Sequence, residues 1–412
     1  MKLEDIDVYD PIAYENRGIP HDQFAFLRKH DPVHWHPREE PGGEGFWAIT
    51  KYEDVAHISK TPLVFSSYRG GTNIPTYPPS DLDMIRLLMV NMDPPRHGKF
   101  RAIVSKGFTP KMIGALEPHI RNCARRIVDG VAAKGECEFV TEIAALLPLE
   151  IICELMGVPE EGRRQVFEWS NKLIGFDDPE FQVSLDDARL AAGQVTTYAV
   201  QLAEERRANK EEDLISKLVH AEVDGEHLTD MELAMFFLML SIAGNETTRN
   251  ATSQGILALL DHPHEKKRLQ EDMSLLPTAV DEIVRWVTPV IHFRRTATQD
   301  VTVRGKNIKE GDKLVLFYPS ANRDEEVFPD GQVFRVDRTP NDHLSFGIGE
   351  HFCLGANLAR LELRVMFEEI LTRLPDIRLV GRPRRLRSNF VHGIKEMRVE
   401  YTPEAERLQR TA

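Results

Sequence analysis

The sequence contains few cysteines, and none of them occurs at metal-binding spacing. The four are Cys123, Cys137, Cys153 and Cys353, and no pair forms a CxxC motif. This distribution argues against a disulfide framework and against a clustered zinc or iron–sulfur site. Cys123 and Cys153 lie in apolar helical patterns, which favour a role as small buried hydrophobic residues.

Long apolar runs are also lacking. The longest covers residues 233–243 and is interrupted by Ser241, whereas a helix that spans a bilayer needs about 20 apolar residues. The N-terminal stretch MKLEDIDVYDPIAYENRGIP has two early acidic residues, no apolar run and a proline at position 11, unlike a signal peptide. We therefore expect a cytoplasmic protein without a membrane anchor.

Basic charge is scarce relative to acidic charge. The 412 residues include 52 Lys and Arg and 65 Asp and Glu, which gives a net charge of −13. General nucleic-acid binding depends on contacts of Lys and Arg with phosphates, so this function class is disfavoured. Repeats and Gly/Ser linkers are absent as well, which predicts a single domain over residues 1–412. We expect that domain to be a monomer.

The sequence does contain extensive helical periodicity. Apolar residues recur at three- and four-residue spacing over residues 110–131, 140–156, 188–207, 229–260 and 356–374. Shorter strand-like segments cover residues 46–50, 300–304 and 313–318. The predicted fold class is therefore mainly α with a small β region.

The helix predicted over residues 229–260 combines a buried character with two polar residues. It starts with a capping box of Thr229 and Glu232 and continues with residues that are apolar on nearly all faces. Glu246 and Thr247 follow this apolar run, and a buried carboxylate needs either a partner or a role in proton transfer. In the structural alternative, Thr247 bonds to a helix carbonyl and Glu246 pairs with a surface arginine.

Cys353 lies in a loop with Gly347, Gly349 and Gly355, and an amphipathic helix follows directly. Glycine lets a backbone turn sharply and approach a bound group closely. A helix N-terminus lowers the pKa of a cysteine thiol, and such a thiolate is a good axial ligand for a haem iron. For this cysteine alone, a structural role remains open.

Six segments follow one another along the chain: DPPRHGKFR at 93–101, AGNETT at 243–248, EIVR at 282–285, RRTATQD at 294–300, SANRDEEVF at 320–328 and FGIGEHFCLG at 346–355. In sequence and order they resemble the cytochrome P-450 family. FGIGEHFCLG is similar to its haem-binding loop, AGNETT to its oxygen-activating helix and EIVR to its Glu-x-x-Arg motif. The resemblance implies the cytochrome P-450 fold, with haem b between the long central helix and the helix after the cysteine loop.

The resemblance also assigns residues to the cofactor. Cys353 is expected to be the iron ligand, while His97, Arg101, Arg295 and His351 are expected to bind the two haem propionates. The remaining residues expected to contact the haem are Ala243, Gly244, Phe346, Gly347 and Gly355.

Glu282 and Arg285 are one helical turn apart, as in a buried ion pair. By the resemblance, an arginine of the following meander joins them, and Arg338 is the candidate. Breaking such a pair costs about 3–5 kcal/mol. We therefore expect these three residues to serve folding and haem retention.

The implied activity is that of a haem-thiolate monooxygenase, which inserts one oxygen atom of O2 into a C–H bond. Glu246 and Thr247 are the expected catalytic residues, because they would supply protons. Flavin and iron–sulfur motifs are absent from the sequence, so electrons from NAD(P)H are expected to arrive through a separate ferredoxin and ferredoxin reductase. That partner is expected to dock over Cys353, near Lys99, Arg360 and Arg364.

The substrate is predicted to be a sizeable hydrophobic molecule. The stretches 81–90, 171–182, 288–293 and 388–393 mix apolar and aromatic residues, and the individual candidates are Leu87, Val290, Ile291, Phe390 and Val391. Similarity to sterol side-chain and branched-lipid hydroxylases favours substrates of those kinds, with a terpenoid hydroxylase as the alternative. Two other classes stay open: a haem-thiolate gas sensor or carrier, and a helical binding protein without a cofactor.

Overall fold

The computed structural model describes residues 1–37, 44–175, 177–181, 184–223 and 225–411. Its α-helices are α1 (Pro11–Arg17), α2 (His21–His30), α3 (Tyr52–Ser59), α4 (Pro79–Ile85), α5 (Arg96–Val104), α6 (Pro110–Ala132), α7 (Leu146–Leu155), α8 (Glu160–Ile174), α9 (Leu185–Ala208), α10 (Leu214–Val219), α11 (Asp230–Asp261), α12 (Pro263–Glu271), α13 (Leu276–Val287), α14 (Tyr318–Ala321), α15 (Ala356–Arg373) and α16 (Glu404–Thr411). Its β-strands are β1 (Val33–His36), β2 (Phe46–Ile49), β3 (Phe65–Ser66), β4 (Glu136–Glu138), β5 (Glu222–Val223), β6 (Glu226–His227), β7 (His292–Ala297), β8 (Val301–Val303), β9 (Lys306–Ile308), β10 (Lys313–Phe317), β11 (Arg378–Leu379), β12 (Arg384–Arg385), β13 (Ile394–Glu396) and β14 (Arg398–Glu400).

The predicted class, mainly α with a small β region, is confirmed. The helices predicted from periodicity correspond to α6, α9, α11 and α15, and the predicted strands correspond to β2, β8 and β10. Helix α9 begins earlier than predicted because the Ser184 hydroxyl accepts a hydrogen bond from the Asp187 amide at 3.2 Å. This N-cap stabilises an additional turn.

The helix predicted over residues 140–156 is divided in two. A π-helical turn covers Val140–Ala144, and α7 follows it. Pro148 has no N–H with which to bond the carbonyl of Ala144 in α-helical register. The regular α-helix α7 therefore begins only after Ala144, at Leu146.

Helix α11 runs through the centre of the protein for 32 residues. Its capping box is formed as predicted: the Glu232 amide donates to Thr229 Oγ1 at 3.2 Å, and the Thr229 amide donates to Glu232 Oε2 at 2.9 Å. Helices α7, α8, α9, α13 and α15 pack around it. In the described part of the chain, no helix is long and apolar enough to cross a membrane.

Helix α15, which follows the cysteine loop, packs closely on α11. A Cβ at Gly255 of α11 would lie 2.6 Å from the Phe367 ring of α15 and 2.7 Å from Ile283 of α13. The missing side chain therefore allows the three helices to approach one another. This packing fixes the position of the cysteine loop relative to the central helix.

A five-stranded sheet lies beside the helices in the order β1–β2–β10–β7–β3. Strands β2 and β10 are parallel, and the other neighbouring pairs are antiparallel. Because side chains alternate along a strand, Phe293 and Arg295 of β7 share one face and Arg294 points to the other. Arg294 Nη1 bonds the carbonyl of Pro75 at 3.1 Å.

Candidate active site

The loop that carries Cys353 is built on two glycines with positive φ. Gly347 has φ 70° and Gly349 has φ 78°, conformations that residues with a Cβ rarely adopt. A Cβ at Gly349 would also lie 3.0 Å from the carbonyl oxygen of Ser59. The Cys353 amide donates to the Phe346 carbonyl at 2.8 Å and closes the loop ahead of α15.

The environment of the Cys353 thiol shifts its pKa in both directions. Burial around the sulfur raises the thiol pKa, although the residue keeps partial exposure. The Gly355 amide, Arg101 and Arg360 lower the pKa by smaller amounts. The helix N-terminus therefore lowers the thiol pKa as predicted, but desolvation is the larger effect and the pKa is raised overall. A metal cation at the sulfur would favour the thiolate.

Three other cysteines behave as small apolar residues. Cys123, Cys137 and Cys153 are buried, which confirms the prediction for Cys123 and Cys153. Burial raises the thiol pKa of Cys123 to about 11 and of Cys153 to about 12. Neutral thiols of this kind are poor nucleophiles and metal ligands.

Four cationic or potentially cationic side chains converge near the cysteine loop: His97, Arg101, Arg295 and His351. The ring centroids of His97 and His351 are 4.1 Å apart. The pKa of His351 falls to about 2, first because of burial and then because of Arg295, His97 and Arg101. Within the described residues, neither arginine forms an ion pair, and the nearest acidic contact of His97 is Glu350 at 3.9 Å. Asp93 also acts electrostatically on His97 and Arg295.

One stripe of α11 is exposed although the helix is central. Ala243 is exposed and Thr247 is half-buried, while Asn245 and Glu246 are buried. Ala243 and Thr247 are four residues apart and share a helix face. The exposed stripe therefore borders an internal space. Gly244 serves packing, because a Cβ there would lie 2.6 Å from Ile152 of α7.

Glu246 and Thr247 make separate contacts. The Thr247 hydroxyl donates to the Ala243 carbonyl at 2.7 Å, as the structural alternative expects. Glu246 is fully buried and pairs with Arg249, which is itself buried rather than at the surface. Burial raises the pKa of Glu246, while Arg249 and Asn250 oppose this rise. The structure thus contains a buried acid one residue from a hydroxyl that borders the internal space.

Glu282, Arg285 and Arg338 meet as the resemblance implies. Arg285 Nε and Nη2 donate to the two carboxylate oxygens of Glu282 at 2.7 and 2.8 Å. Arg338 Nε donates to Glu282 Oε2 at 3.0 Å. Arg285 also donates to the carbonyl of Asn322 at 2.7 Å and to that of Gly331 at 3.0 Å. The group therefore connects α13 to the segment before the cysteine loop.

Comparison with known proteins identifies the family. Residues 186–375 match the family model described as Cytochrome P450. Over 388 residues the chain is 45% identical to the methyl-branched lipid omega-hydroxylase of Mycobacterium tuberculosis, covering 92% of this chain and 90% of the relative. It is 43% identical over 406 residues to the steroid C26-monooxygenase of Rhodococcus jostii, covering 97% and 85%. The chain belongs to the cytochrome P450 family.

Solved structures agree with this assignment. A cytochrome P450 of Mycobacterium marinum in complex with pseudoionone is 39% identical, with a TM-score of 0.90, and the match covers 96% of this chain and 98% of that one. This cytochrome P450 is therefore a monooxygenase, an oxidoreductase that uses haem, O2 and reducing equivalents. The family membership and its monooxygenase relatives replace the sensor and cofactor-free alternatives.

The residues of this cytochrome P450 fit a haem. The cluster of His97, Arg101, Arg295 and His351 offers donors and positive charge for two carboxylates, and Arg101 also acts electrostatically on Cys353. Phe346 and Leu354 of the cysteine loop border the same apolar cluster as Ile242 of α11. The roles of the individual haem contacts, Ala243, Gly244, Phe346, Gly347 and Gly355 included, remain predictions.

The predicted substrate residues separate into groups. Val290 pairs with Val391 in an isolated antiparallel bridge, and Phe390 adjoins Val391 in a small apolar cluster. Ile291 instead packs in a different apolar cluster, behind the sheet, with no exposed surface, which favours a structural role. Leu87 is half-buried at the edge of the main core.

Three further residues belong to the cluster of Phe390 and Val391, namely Leu386, Phe181 and Ile242. Phe181 and Ile242 pack against it. Phe181 falls in the apolar stretch 171–182, in which Phe176 and Gln182 lie outside the described residues, and Ile242 directly precedes Ala243. Amphipathic periodicity does not distinguish Ile242 on a helix that is apolar all round.

The predicted docking residues lie in different surroundings. Lys99 is exposed. Arg360 pairs with Asp281 at 2.7 Å, and Arg364 pairs with Glu117 at 2.9 Å. These two arginines are therefore partly neutralised, and their role in partner docking remains a prediction.

Proposed function

We propose that this cytochrome P450 hydroxylates a sterol side chain or a branched lipid at or near a terminal methyl group. The observation that carries the proposal is the apolar cluster of Phe181, Ile242, Phe390 and Val391 beside the Ala243–Thr247 stripe. Apolar walls of this kind bind hydrocarbon by removing it from water. The methyl-branched lipid omega-hydroxylase and the steroid C26-monooxygenase at 45% and 43% identity support these substrate classes.

The haem would be held by residues that the structure brings together. Cys353 would bind the iron, and Arg101, Arg295, His97 and His351 would bind the propionates. Haem with a thiolate ligand supplies the oxygen-activating chemistry when it is bound.

The proton-handling residues are Thr247 and Glu246. The Thr247 hydroxyl borders the internal space and can turn from the Ala243 carbonyl toward a bound acceptor. Glu246 is buried beside Thr247, and burial raises its pKa. This carboxyl group therefore binds or releases a proton according to pH. An acid and a donor in this arrangement deliver protons to oxygen without opening the pocket to bulk water.

Electrons would come from NAD(P)H through a ferredoxin and a ferredoxin reductase. Support for this comes from the sequence, which lacks a flavin motif and clustered cysteines. We propose further that the chain acts as a single-domain monomer in the cytoplasm.

Spectral titration followed by product analysis tests the substrate proposal. Sterols, branched fatty acids and terpenoids are added to the purified haem protein, and the change from low to high spin is recorded for each. Turnover with ferredoxin, reductase and NAD(P)H then locates the new hydroxyl group. A shift with a sterol or a branched lipid, and a hydroxyl at the chain end, is expected.

Replacing Phe390 with alanine and, as a control, the exposed Trp35 of β1 with alanine shows whether the response comes from the cluster. Phe390→Ala should weaken binding and Trp35→Ala should not. A spin shift with small polar compounds alone would contradict the proposal.

A terpenoid hydroxylase is the second candidate. The pseudoionone complex of the Mycobacterium marinum structure favours it. In the same titration, a spin shift and hydroxylation with terpenoids but with neither sterols nor branched lipids would select this candidate.

A further inference from the structure

Arg249 lies one turn after Glu246 on α11, and its guanidinium group joins two helices. Nη2 donates to Glu246 Oε2, and Nη1 donates to Asn171 Oδ1 on α8 at 2.8 Å. The guanidinium carbon also lies 5.8 Å from the ring centroid of Phe167 on α8. Arg249 is 6% exposed. The acid of the active site is thus held by a buried cation that has a second anchor on another helix.

Several polar atoms beside this bridge have no hydrogen-bond partner within the described residues. They are Asn245 Nδ2 and Oδ1, Glu246 Oε1 and Arg249 Nε. Asn245 and Arg249 are four residues apart and therefore share a face of α11. Buried donors and acceptors of this kind are ordinarily satisfied by ordered water. Glu246 Oε1 therefore keeps an acceptor position that the contacts of Glu246 with Arg249 and Asn250, both made through Oε2, do not use.

Helix α8 leads directly into the segment that covers the apolar cluster. Asp178 in this segment is buried, pairs with Lys395 at 2.8 Å and accepts a hydrogen bond from the Arg387 amide at 3.0 Å. Phe181, three residues later, packs against the cluster of Phe390 and Val391. The position of α8 is therefore tied to the wall of the proposed substrate pocket.

We propose that Arg249 is a positioning residue for Glu246, and that its hydrogen bond to Asn171 makes the placement of this acid depend on how α8 is seated. Arg249 acts through Glu246 and touches no reacting atom. Because the guanidinium has rigid, forked donors, it reaches both partners at once, which an ammonium group cannot do with the same geometry. The inference rests on the proposed role of Glu246 in proton delivery.

Three variants test the proposal. Arg249→Met removes both contacts and keeps the side-chain length. Arg249→Lys keeps the positive charge but loses the planar guanidinium group that donates to two partners. Asn171→Ala breaks only the link to α8. The matched control is Arg164→Met on α8, because the Arg164 side chain is 90% exposed and, among the described residues, pairs with Glu168 at 3.0 Å.

Four measurements are made on the haem-loaded proteins: the reduced CO spectrum, the ratio of product to reductant consumed, the solvent deuterium isotope effect on product formation, and the infrared band of the protonated carboxyl group as a function of pH. The last one needs no turnover. A Glu246→Gln background identifies the band of Glu246.

Arg249→Met should keep the CO spectrum and lower the product rate roughly 10–100-fold, as removal of orienting partners around a site typically does. Its solvent isotope effect should rise, and the protonation midpoint of Glu246 should move to higher pH. Arg249→Lys and Asn171→Ala should change coupling and the isotope effect in the same direction by smaller factors. Arg164→Met should match the wild type.

Wild-type coupling and an unchanged isotope effect in both Arg249→Met and Asn171→Ala would overturn the proposal. If Arg249→Met does not take up haem, wild-type coupling and an unchanged isotope effect in Asn171→Ala alone would overturn the proposal. A wild-type protein without a thiolate-type CO spectrum or turnover would refute the proposed function instead. The pH at which the infrared band shows Glu246 to be half-protonated would then still show whether Arg249 shifts the pKa of this carboxyl group.

Discussion

The carboxyl group of Glu362 on α15 lies against the hydroxyl of Thr248 on α11. Glu362 is 2% exposed, and it forms no ion pair within the described residues. Burial raises its pKa to about 8, while the hydrogen bond with Thr248 has the opposite, smaller effect. The folded protein therefore holds this carboxyl group in its neutral form at pH 7.

This relationship predicts a pH-dependent stability. Between the ordinary pKa of 4.5 and about 8, the folded protein binds a proton that the unfolded chain releases, so stability falls as pH rises. The slope is about 1.4 kcal/mol per pH unit. In Glu362→Gln that slope should disappear over this range. Denaturant unfolding of the haem protein at several pH values measures this slope, with the half-exposed Glu368→Gln as the control on the same helix. Parallel pH profiles for Glu362→Gln and the wild type would disprove the assignment.

Cys353→Ala should abolish the thiolate-type spectrum of the reduced, CO-treated protein, because the other three cysteines are buried apolar residues. Cys123→Ala is the control and should keep the spectrum. If the thiolate-type spectrum persists in Cys353→Ala, another residue binds the iron.

Thr247→Ala should uncouple the reaction. Substrate and CO binding should survive, since this hydroxyl makes only a local bond to the Ala243 carbonyl. Most of the electrons from the reductant should then reduce O2 to hydrogen peroxide instead of supporting hydroxylation, because the donor at the internal space is gone. The ratio of product to reductant measures this effect, and Thr247→Ser, which keeps the hydroxyl, should retain coupling. Unchanged coupling in Thr247→Ala would show that the Thr247 hydroxyl only bonds to a carbonyl of its own helix and does not supply protons.

Glu246→Ala should slow the whole cycle instead of redirecting it. General acid–base groups contribute roughly 10²–10⁴-fold to rate, so reductant consumption and product formation should both fall. Steady-state rates with ferredoxin and reductase measure this loss. A variant that retains the wild-type rate would show that protons reach the site by another route.

Arg285→Met should destabilise the protein by about 3–5 kcal/mol, because it leaves the fully buried Glu282 with only part of its partners. Haem retention should fall with stability. Urea unfolding and haem content measure the two effects. Arg335→Met is the control, since its half-exposed side chain contacts Asp337 at 3.3 Å. Equal stability of the two variants would argue against a structural role for the pair.

Much of the fold and of the site could be predicted from the sequence because the signals are local. Thr229 and Glu232 are one turn apart and recognise each other at the helix start. Glycines before Cys353 allow the positive φ values of its loop. Periodicity likewise marks which faces of the long helices are buried. Each of these features depends on residues within a few positions of one another.

Other features depended on packing between distant segments. Asn171 and Arg249 are 78 positions apart, and no local pattern links them. The sheet places the side chain of Ile291 in a separate apolar cluster although its amide bonds the Phe390 carbonyl at 2.8 Å, so its role at the substrate pocket stays a prediction. The thiol pKa of Cys353 also depends on packing, because the lowering by a helix N-terminus can be predicted from the sequence whereas desolvation depends on what packs around the sulfur.

The sequence by itself determined the helical class, the central capped helix, the cysteine loop and the order of the family motifs, since short-range backbone preferences and motif spacing encode them. Only the tertiary structure decided which charges are buried and which partners they meet. Arg249 could be a surface residue by sequence, yet α8 covers it and aligns it on Glu246. Desolvation and long-range pairing arise when helices pack, and burial raises the pKa of both Glu246 and Glu362.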